Sequence, residues 1–422
     1  MKVFKFGGAS VKDAAGMRNV AKVLAHFPDD DLLIVVSAMG KTTNALEEVV
    51  WAYAEGEETK PLVEALRTAH FAVLNEVAPA DDAAANALDQ SFRDLQRVLA
   101  ARTSGDVDED YDQIVSLGEV WSTLIVSAHL NSAGHANDWL DARKVVRTDD
   151  RFRDARVQWD ALEGTCVMHM PAVKSTPRRI VTQGFIGCTA DGRTTTLGRE
   201  GSDFSAAIFA YALGCVSVTI WKDVPGMFNA DPKRFPDTKL LAHISYREAI
   251  ELSYFGASVI HPRTLQPLQK KGIPLYVRSF IDFNAPGSTI DHRSENDSLI
   301  PSFIVKPKQL LISITPRDLS FIVEENLSGI FSLFASRNVR IDLMQNSALA
   351  FSVAVDDTPR SRQLIEELSA EYEVRYNDGC ELVTVRHYDE PTLAKLTAGK
   401  EVMLEQRSRT TARFVLKATA EG

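Results

Sequence analysis

The amino-acid sequence predicts an α/β fold with a mostly parallel sheet sandwiched by helices, followed by smaller α+β units of the βαββαβ type. Two observations predict it. Short apolar, β-rich runs alternate with longer segments of helical spacing over residues 1–290, which favours parallel strands joined by helices. The same alternation returns on a smaller scale after residue 308.

The elements of the first domain follow from these patterns in chain order. Residues 3–6 and 32–36 are predicted strands because apolar side chains dominate them. Residues 14–26 between them repeat apolar side chains at helical spacing. Further helices are predicted over residues 44–54, 84–101 and 111–130, and further strands over residues 179–185, 194–197 and 216–221.

A turn-rich stretch at residues 284–288 and a polar, proline-flanked region up to Pro307 indicate a boundary near residues 290–308. We therefore expect a domain over residues 1–300 and a second region over residues 308–422. That region divides into a full unit at about 308–377 and a shorter one at about 378–422, which ends before a second helix and final strand. A repeated small unit after a large α/β domain favours a paired regulatory module.

The predicted elements of the second region follow the same order twice. For the full unit they are a strand at 310–315, a helix at 329–337, strands at 339–344 and 348–355, a helix at 361–370 and a strand at 372–376. For the shorter unit they are a strand at 381–387, a helix at 391–396 and strands at 401–406 and 410–416.

Length, charge and cysteine content exclude several classes of protein. A chain of 422 residues exceeds the size of a single core, and its 47 Lys and Arg against 57 Asp and Glu give a net charge of −10. The acidic balance argues against nucleic acid or an anionic membrane as principal partner. No stretch resembles a signal peptide or a membrane helix, so we expect a cytoplasmic protein. The four cysteines form no CxxC pair, so neither a zinc site nor a disulfide framework is indicated.

Candidate chemistry begins where the first predicted strand ends, at Lys5, Gly7 and Gly8. Paired glycines let the backbone approach an anion, the helix start offers N–H groups, and Lys5 supplies a positive charge. A phosphate site is one interpretation and a simple tight turn is the other. The segment matches neither the GxxxxGK[ST] loop nor the GxGxxG fingerprint.

Three later segments also follow predicted strands. Ser37 and Thr43 can reach a ligand at the end of the second strand, although Thr43 or Asn44 could instead cap a helix. In residues 194–205, Arg199 can bind a carboxylate and Ser202 a phosphoryl group. The alternative is that Ser202 caps a helix and Arg199 pairs with Glu200. Residues 221–233 combine charge with two turn signals, Pro-Gly and Asp-Pro, and turn chemistry explains much of this segment.

Taken together, these segments resemble the aspartate kinases of the amino-acid kinase family. The resemblance covers residues 1–285 and rests on KFGG, SAMGKTT, SLGE, TTTLGREGSD, WKDVPGMFNADPK and FGASVIHP. The tail resembles the ACT-type regulatory region of the same enzymes. The resemblance implies Mg-ATP-dependent phosphorylation of the side-chain carboxylate of L-aspartate, the first step towards lysine, threonine and methionine.

The resemblance also implies roles for individual residues. Lys5 with the N–H groups of Gly7 and Gly8 would hold the transferring phosphoryl group, and Asp203 would orient the lysine and the metal-phosphate cluster. Arg199 would bind the α-carboxylate of aspartate, Glu119 its ammonium group, and Ser37, Thr43 and Ser202 would complete the substrate site. The nucleotide pocket would comprise Lys222, Asp223, Phe228, Asp231, Lys233 and Ser258. No metal ligand is assigned to a protein side chain, because ATP carries the Mg²⁺.

This sequence departs from the family pattern at several positions. Ala9 replaces a usual Thr or Ser, and Glu200 replaces a Gly. Ser258 stands where the family has a lysine that contacts ATP phosphates, whereas Lys222 stands where a Thr is usual. We hypothesise that Lys222 supplies the missing charge, because a flexible ammonium can reach phosphate from more than one strand end.

For the tail, the resemblance implies feedback control by lysine or threonine, with Asp342, Gln345 and Asn346 as candidate effector contacts and a homodimer or larger homo-oligomer formed through this region. A structural unit without a ligand is the alternative. For the whole chain, the alternatives are another carboxylate or nucleotide kinase of the same fold and a catalytically weak amino-acid sensor.

Overall fold

The computed structural model describes residues 1–101, 103–172, 176–198, 200–256, 260–318 and 320–419. The chain divides into two compact units. The first comprises Met1–Met227, Leu240–Ile250 and Val259–Ser294, and the second comprises Phe228–Lys239, Glu251–Ser258 and Glu295–Gly422. A single linear boundary, as expected from the sequence, does not anticipate the two short segments that belong to the second unit.

The described chain up to residue 294 forms ten strands and ten α-helices. The strands are β1 Lys2–Phe6, β2 Leu32–Val36, β3 Asp138–Leu140, β4 Arg179–Gln183, β5 Ile186–Cys188, β6 Thr194–Thr196, β7 Val218–Lys222, β8 His243–Ser245, β9 Leu275–Ser279 and β10 Ser288–Asp291. The helices are α1 Ala14–Ala25, α2 Thr42–Glu55, α3 Lys60–Val77, α4 Asp82–Ala100, α5 Val107–Val115, α6 Leu117–Ser132, α7 Trp159–His169, α8 Gly201–Leu213, α9 Tyr246–Tyr254 and α10 Pro262–Lys271.

Eight of these strands form one sheet in the order β3-β4-β2-β1-β7-β9-β10-β8. Every pair is parallel except β9 with β10. This confirms the predicted mostly parallel sheet. The order makes β1 the neighbour of both β2 and β7, so the segments that follow these three strands meet at one edge of the sheet.

The predicted strand at 194–197 exists as β6, but it pairs antiparallel with β5 in a separate hairpin. The helix predicted over 111–130 is divided at Ser116 into α5 and α6. Gly118 allows α6 to begin in close contact with α2, because a Cβ there would lie 3.1 Å from Thr42 and 3.2 Å from Leu46. The next residue, Glu119, is thereby buried beside the end of β2.

The core beneath this edge is aromatic. Phe4 and Phe6 of β1 are buried, and Trp221 of β7 stacks parallel to Phe6 with ring centroids 6.2 Å apart. Each such side chain stabilises the fold by roughly 1.5–3 kcal/mol through burial. Strands β1 and β7 are thus held rigidly at the point where their charged residues project.

The second unit contains a six-stranded antiparallel sheet in the order β12-β13-β11-β14-β16-β15. Its elements are β11 Ser302–Pro316, α11 Glu324–Ser336, β12 Ile341–Asn346, β13 Phe351–Asp356, α12 Pro359–Glu371, β14 Tyr372–Arg386, α13 Glu390–Thr397, β15 Lys400–Arg407 and β16 Thr411–Ala418. This arrangement is consistent with the predicted ACT-like units.

Strand β11 changes the interpretation of the shorter unit. Residues 302–306 pair with residues 382–386 of β14, whereas residues 309–316 pair with β13 and with the first half of β14. The register shifts between Lys306 and Gln309, around Pro307, which has no N–H to donate to the ladder. Residues 302–306 lie within the stretch where the sequence indicates a boundary, yet they form the start of β11. They add a strand to the unit that the sequence shows as shorter.

None of the helices in the part of the chain that the structure describes is long and apolar enough to cross a membrane.

Candidate active site

A cleft of about 510 Å³ lies in the first unit at the carboxyl ends of β1, β2 and β7. It brings together most of the residues predicted for catalysis and substrate binding. Its described lining residues are Lys5, Gly8, Ser37, Ala38, Gly40, Thr43, Tyr111, Glu119, Arg153, Phe185, Thr196, Gly198, Glu200, Gly201, Ser202, Asp203 and Lys222.

Two lysines share one buried carboxylate at the centre of this cleft. Nζ of Lys5 lies 2.7 Å from Oδ1 of Asp203, and Nζ of Lys222 lies 3.3 Å from Oδ2. Burial would raise the pKa of Asp203, but the two ammonium groups outweigh it and hold that pKa below its usual value. The three side chains therefore carry one net positive charge, which suits a phosphoryl group.

Gly8 makes the close approach of two strand ends possible. A Cβ on Gly8 would lie 2.7 Å from the carbonyl oxygen of Ala38, which is shorter than a van der Waals contact. The backbone N–H of Gly40 donates to the carbonyl oxygen of Gly8 at 3.1 Å. At Gly7, a Cβ would lie 3.3 Å from the ammonium of Lys5. The glycine pair thus keeps the space around that ammonium open.

Glu119 is a buried carboxylate that faces the cleft. Its residue is 4% exposed, and its Oε2 atom accepts no hydrogen bond within the described part of the protein. Burial raises its pKa to about 8, although the N–H of Ala38 and the charge of Lys5 oppose the shift. An unsatisfied buried acceptor is costly, so a cationic ligand group at this position would be stabilising.

The hydroxyl residues Ser37, Thr43 and Ser202 also line the cleft. The alternative interpretations as helix caps are wrong. Helix α2 begins at Thr42 with Lys41 at its N-cap, and α8 begins at Gly201 with Glu200 at its N-cap. Neither N-cap residue makes a capping side-chain hydrogen bond, so Thr43, Asn44 and Ser202 lie within the first helical turns.

Backbone strain is concentrated in the same cleft. Six described residues other than glycine have φ between 49° and 68°, and three of them line it: Arg153 at 65°, Phe185 at 68° and Glu200 at 56°. Such conformations cost of order 1–3 kcal/mol and persist where the surrounding structure enforces them. Their grouping marks the cleft as functional by an observation independent of the motifs.

Tyr111, Arg153, Phe185 and Thr196 were not predicted. Buried Asp112 positions two of them, because its carboxylate accepts from the N–H of Thr196 at 2.7 Å and from the N–H of Arg153 at 3.0 Å. Burial raises the pKa of Asp112 to about 6 despite these bonds. The guanidinium of Arg153 lies 4.2 Å above the ring of Tyr111. Arg153 and Phe185 lie in loops, where no periodic pattern in the sequence marks them.

The other predicted site residues either do not line this cleft or lie outside the residues that the structure describes. Asp223 is exposed just after β7, whereas Phe228, Asp231 and Lys233 belong to the second unit. There the carboxylate of Asp231 accepts from the N–H of Lys233 at 2.9 Å in a local turn. Arg199 and Ser258 lie outside the described residues.

The candidate effector residues lie on β12, an edge strand of the second unit. The side chain of Asp342 is 6% exposed and pairs with Nζ of Lys306, which is also 3.4 Å from Asp356. Gln345 and Asn346 are exposed.

Strand-end glycines, a shared carboxylate between two lysines and a buried acidic side chain define an α/β enzyme that handles a phosphoryl group and a substrate with an ammonium group. Comparison with known proteins agrees. A model of the amino acid kinase family matches residues 1–279. Lysine-sensitive aspartokinase 3 of Escherichia coli (strain K12) is 33% identical over 415 residues, which cover 95% of this chain and 89% of that protein.

Solved structures show the same likeness. The crystal structure of E. coli aspartokinase III in complex with lysine and aspartate, in the T-state, superposes with a TM-score of 0.83 and 29% identity, covering 99% of this chain and 96% of that chain. The R-state structure of that enzyme with aspartate and ADP has a TM-score of 0.80, 29% identity and the same coverage. This chain belongs to the amino acid kinase family and, within it, to the aspartokinases.

Proposed function

We propose that the cleft of the first unit transfers the γ-phosphoryl group of ATP to the side-chain carboxylate of L-aspartate, giving 4-phospho-L-aspartate. This reaction is the first step of lysine, threonine and methionine biosynthesis. The observation that carries the proposal is the Lys5–Asp203–Lys222 cluster in the same cleft as the buried, unsatisfied carboxylate of Glu119.

Different residues bind the ammonium group and the α-carboxylate of aspartate. Glu119 receives the ammonium group, since it is a buried carboxyl group with no described internal partner for one oxygen, and it ionises when that ammonium group binds. Arg199 and Ser202 hold the α-carboxylate, and Ser37 and Thr43 donate hydrogen bonds to the bound amino acid. The reacting carboxylate then points towards Lys5, which stabilises the phosphoryl group, while Asp203 orients Lys5.

The reaction needs positioning more than proton transfer. An aspartate side chain with an ordinary pKa near 4 is already ionised at neutral pH, so no general base is required. One of its oxygens bonds to the γ-phosphorus while the bond from that phosphorus to the bridging oxygen breaks. The electron pair leaves with ADP. Lys5 and the N–H groups of Gly7 and Gly8 stabilise the charge on the transferring group.

For the nucleotide, we infer contacts from the first-unit residues Lys5, Gly7, Gly8, Lys222 and Asp223. The contacts expected from the sequence for Phe228, Asp231, Lys233 and Ser258 stay predictions. Mg²⁺ would arrive with the ATP phosphates and neutralise part of their charge. Both oxygens of Asp203 face ammonium groups, so we infer that Asp203 orients the two lysines.

The second unit is proposed to bind an amino-acid effector, lysine or threonine. The E. coli relative is named lysine-sensitive, and one of its structures contains lysine. Asp342 supplies a carboxylate, while Gln345 and Asn346 are exposed on an edge strand. An open edge can also pair with a second copy of the chain, which supports a homodimer or larger homo-oligomer. The cytoplasmic location expected from the sequence stays a prediction.

The proposed reaction is tested by trapping the acyl phosphate with hydroxylamine in the presence of Mg-ATP. We expect hydroxamate with L-aspartate and none with L-glutamate. Arg199→Ala should raise the KM for aspartate by at least about tenfold, because a charge-assisted pair is lost. Equal activity with both amino acids would instead identify another carboxylate kinase, and ATP binding without any hydroxamate would favour a sensor.

A further inference from the structure

We propose that Lys222 is a second catalytic lysine, which contacts the transferring phosphoryl group together with Lys5 while both share Asp203 as counter-ion. The inference rests on the proposed function. Its starting observation is that the two ammonium groups engage different oxygens of one carboxylate, at 2.7 and 3.3 Å. Both lysines line the cleft.

The sheet register places the two lysines side by side. Strands β1 and β7 are parallel neighbours, with Lys5 opposite Ile220 and Phe6 opposite Trp221. Lys222 follows Trp221 and is therefore level with Gly7. Side chains two residues apart on a strand share a face, and so do paired residues on neighbouring strands. Lys5 and Lys222 consequently project from the same face, and Gly7 has no side chain to separate them.

The charges of the cluster suit an anionic ligand. Lys5 and Lys222 share the carboxylate of Asp203, whose side chain is 4% exposed. The side chain of Lys5 is 10% exposed and that of Lys222 is 22% exposed, so both sit where water screens charge poorly. A group that gains negative charge on its equatorial oxygens during transfer is stabilised most at such a position.

Lys222 would act without proton transfer. As aspartate bonds to the γ-phosphorus and the bond to the ADP oxygen breaks, the ammonium donates hydrogen bonds to an equatorial oxygen and keeps its proton. Asp203 prevents the two lysines from repelling each other before ATP binds. A lysine that only neutralised Asp203 would occupy the same place, so the test must separate the two roles.

The test compares wild type, Lys222→Met and the control Lys270→Met, an exposed lysine of the same unit on α10. We expect kcat of Lys222→Met to fall by about 10²–10³-fold. The Kd for ADP should change less than about threefold, because ADP lacks the transferred group. Inhibition by ADP with aluminium fluoride and aspartate, which mimics that group, should weaken by a factor similar to the loss in kcat.

Chemical rescue sharpens the result. All four native cysteines are buried, so Lys222→Cys can be alkylated selectively with 2-bromoethylamine to restore an ammonium at nearly the original position. We expect at least about a tenth of wild-type kcat after alkylation. The same reagent should leave the activity of wild type unchanged.

The outcomes distinguish this inference from the proposed function. Wild type that forms aspartyl hydroxamate while Lys222→Met keeps its kcat would overturn the role of Lys222 and leave the kinase activity intact. Equal weakening of ADP and of the aluminium fluoride complex, with a lower melting temperature, would show that Lys222 only positions Asp203 and would also overturn it. Wild type without aspartate-dependent product would overturn both.

Discussion

At the scale of single residues, the proposed contact between Glu119 and the ammonium group of aspartate links substrate binding to pH. Burial raises its pKa to about 8, whereas the substrate's ammonium group requires the ionised carboxylate. Binding therefore releases a proton at neutral pH. We expect the KM for aspartate to fall as the pH rises from 6 to 8, by up to about tenfold per unit.

The same residue affects stability in the absence of substrate. Between pH 4.5 and 8 the unfolded chain has lost this proton while the folded protein keeps it, so the free energy of unfolding falls as the pH rises. Glu119→Gln removes this dependence and should be more stable than wild type at pH 8 by about 2–4 kcal/mol. Urea unfolding at pH 5 and pH 8 measures the difference.

The control is Glu48→Gln, which changes an exposed carboxylate on α2. Its unfolding should follow the wild-type pH dependence. If Glu119→Gln also followed the wild type, the carboxylate would be ionised in the empty cleft, and the proposed proton release on aspartate binding would be wrong.

Gly8 is a second residue that determines local structure, because it has no side chain. In Gly8→Ala the new Cβ would lie 2.7 Å from a backbone oxygen, so the two loops must separate. We expect a loss of about 1–3 kcal/mol in unfolding free energy and a large loss of activity. Gly164→Ala in α7 meets nothing within 4 Å and should be neutral or stabilising. Equal stability of the two variants would contradict the close approach.

At the scale of elements, the turn before α8 contains removable strain. Glu200 has φ of 56° and a buried Oε2 atom without a hydrogen-bond partner among the described residues. Glu200→Gly should raise the unfolding free energy by about 1–2 kcal/mol. It should also lower the KM for ATP, because one negative charge leaves the cleft.

The matched control is Asn338→Gly, at φ of 55° in the second unit. Asparagine adopts this conformation at little cost, so the change in stability should stay below about 0.5 kcal/mol. Calorimetric melting measures both variants. A destabilised Glu200→Gly would show that the carboxylate makes a stabilising contact that outweighs the backbone strain.

Elements with a strong pattern were predictable from the sequence, and those without one were not. Strand β2 was found because five consecutive apolar residues are typical of a strand buried on both faces. The first half of β11 was missed because Pro307 and polar neighbours indicate a domain boundary, whereas the sheet accommodates the proline in a bulge. The three-residue strands β3 and β8 are too short to show a period.

At the scale of the whole molecule, the chemistry could be predicted where it follows parallel strands. The segments after β1, β2 and β7 were each predicted to follow a strand, and the resemblance to the aspartate kinases grouped Lys5, Ser37 and Lys222 in one site. Arg153 and Phe185 could not, because loops bring them to the cleft and only tertiary hydrogen bonds, such as those of Asp112, hold them there.

The second unit yields a prediction about regulation. Lys306 places an ammonium on Asp342, where the proposed effector would place its own. Lys306→Met removes this internal competitor and should lower the lysine or threonine concentration for half-maximal inhibition by about tenfold. Activity assays with each amino acid measure it. The control is Lys395→Met, which removes an exposed ion pair in which Nζ of Lys395 lies 3.5 Å from Oδ2 of Asp237. This variant should leave the inhibition unchanged. Unchanged inhibition in both variants would show that Asp342 does not bind the effector.

The central claim is that the cleft phosphorylates the side-chain carboxylate of aspartate. The most direct measurement is the identity of the hydroxamate that forms from L-aspartate, Mg-ATP and hydroxylamine, separated by chromatography against the α- and β-aspartyl standards. We predict only the β-hydroxamate from wild type and at least about a 100-fold lower rate from Lys5→Met. The α-hydroxamate, or an unchanged rate in Lys5→Met, would contradict the claim.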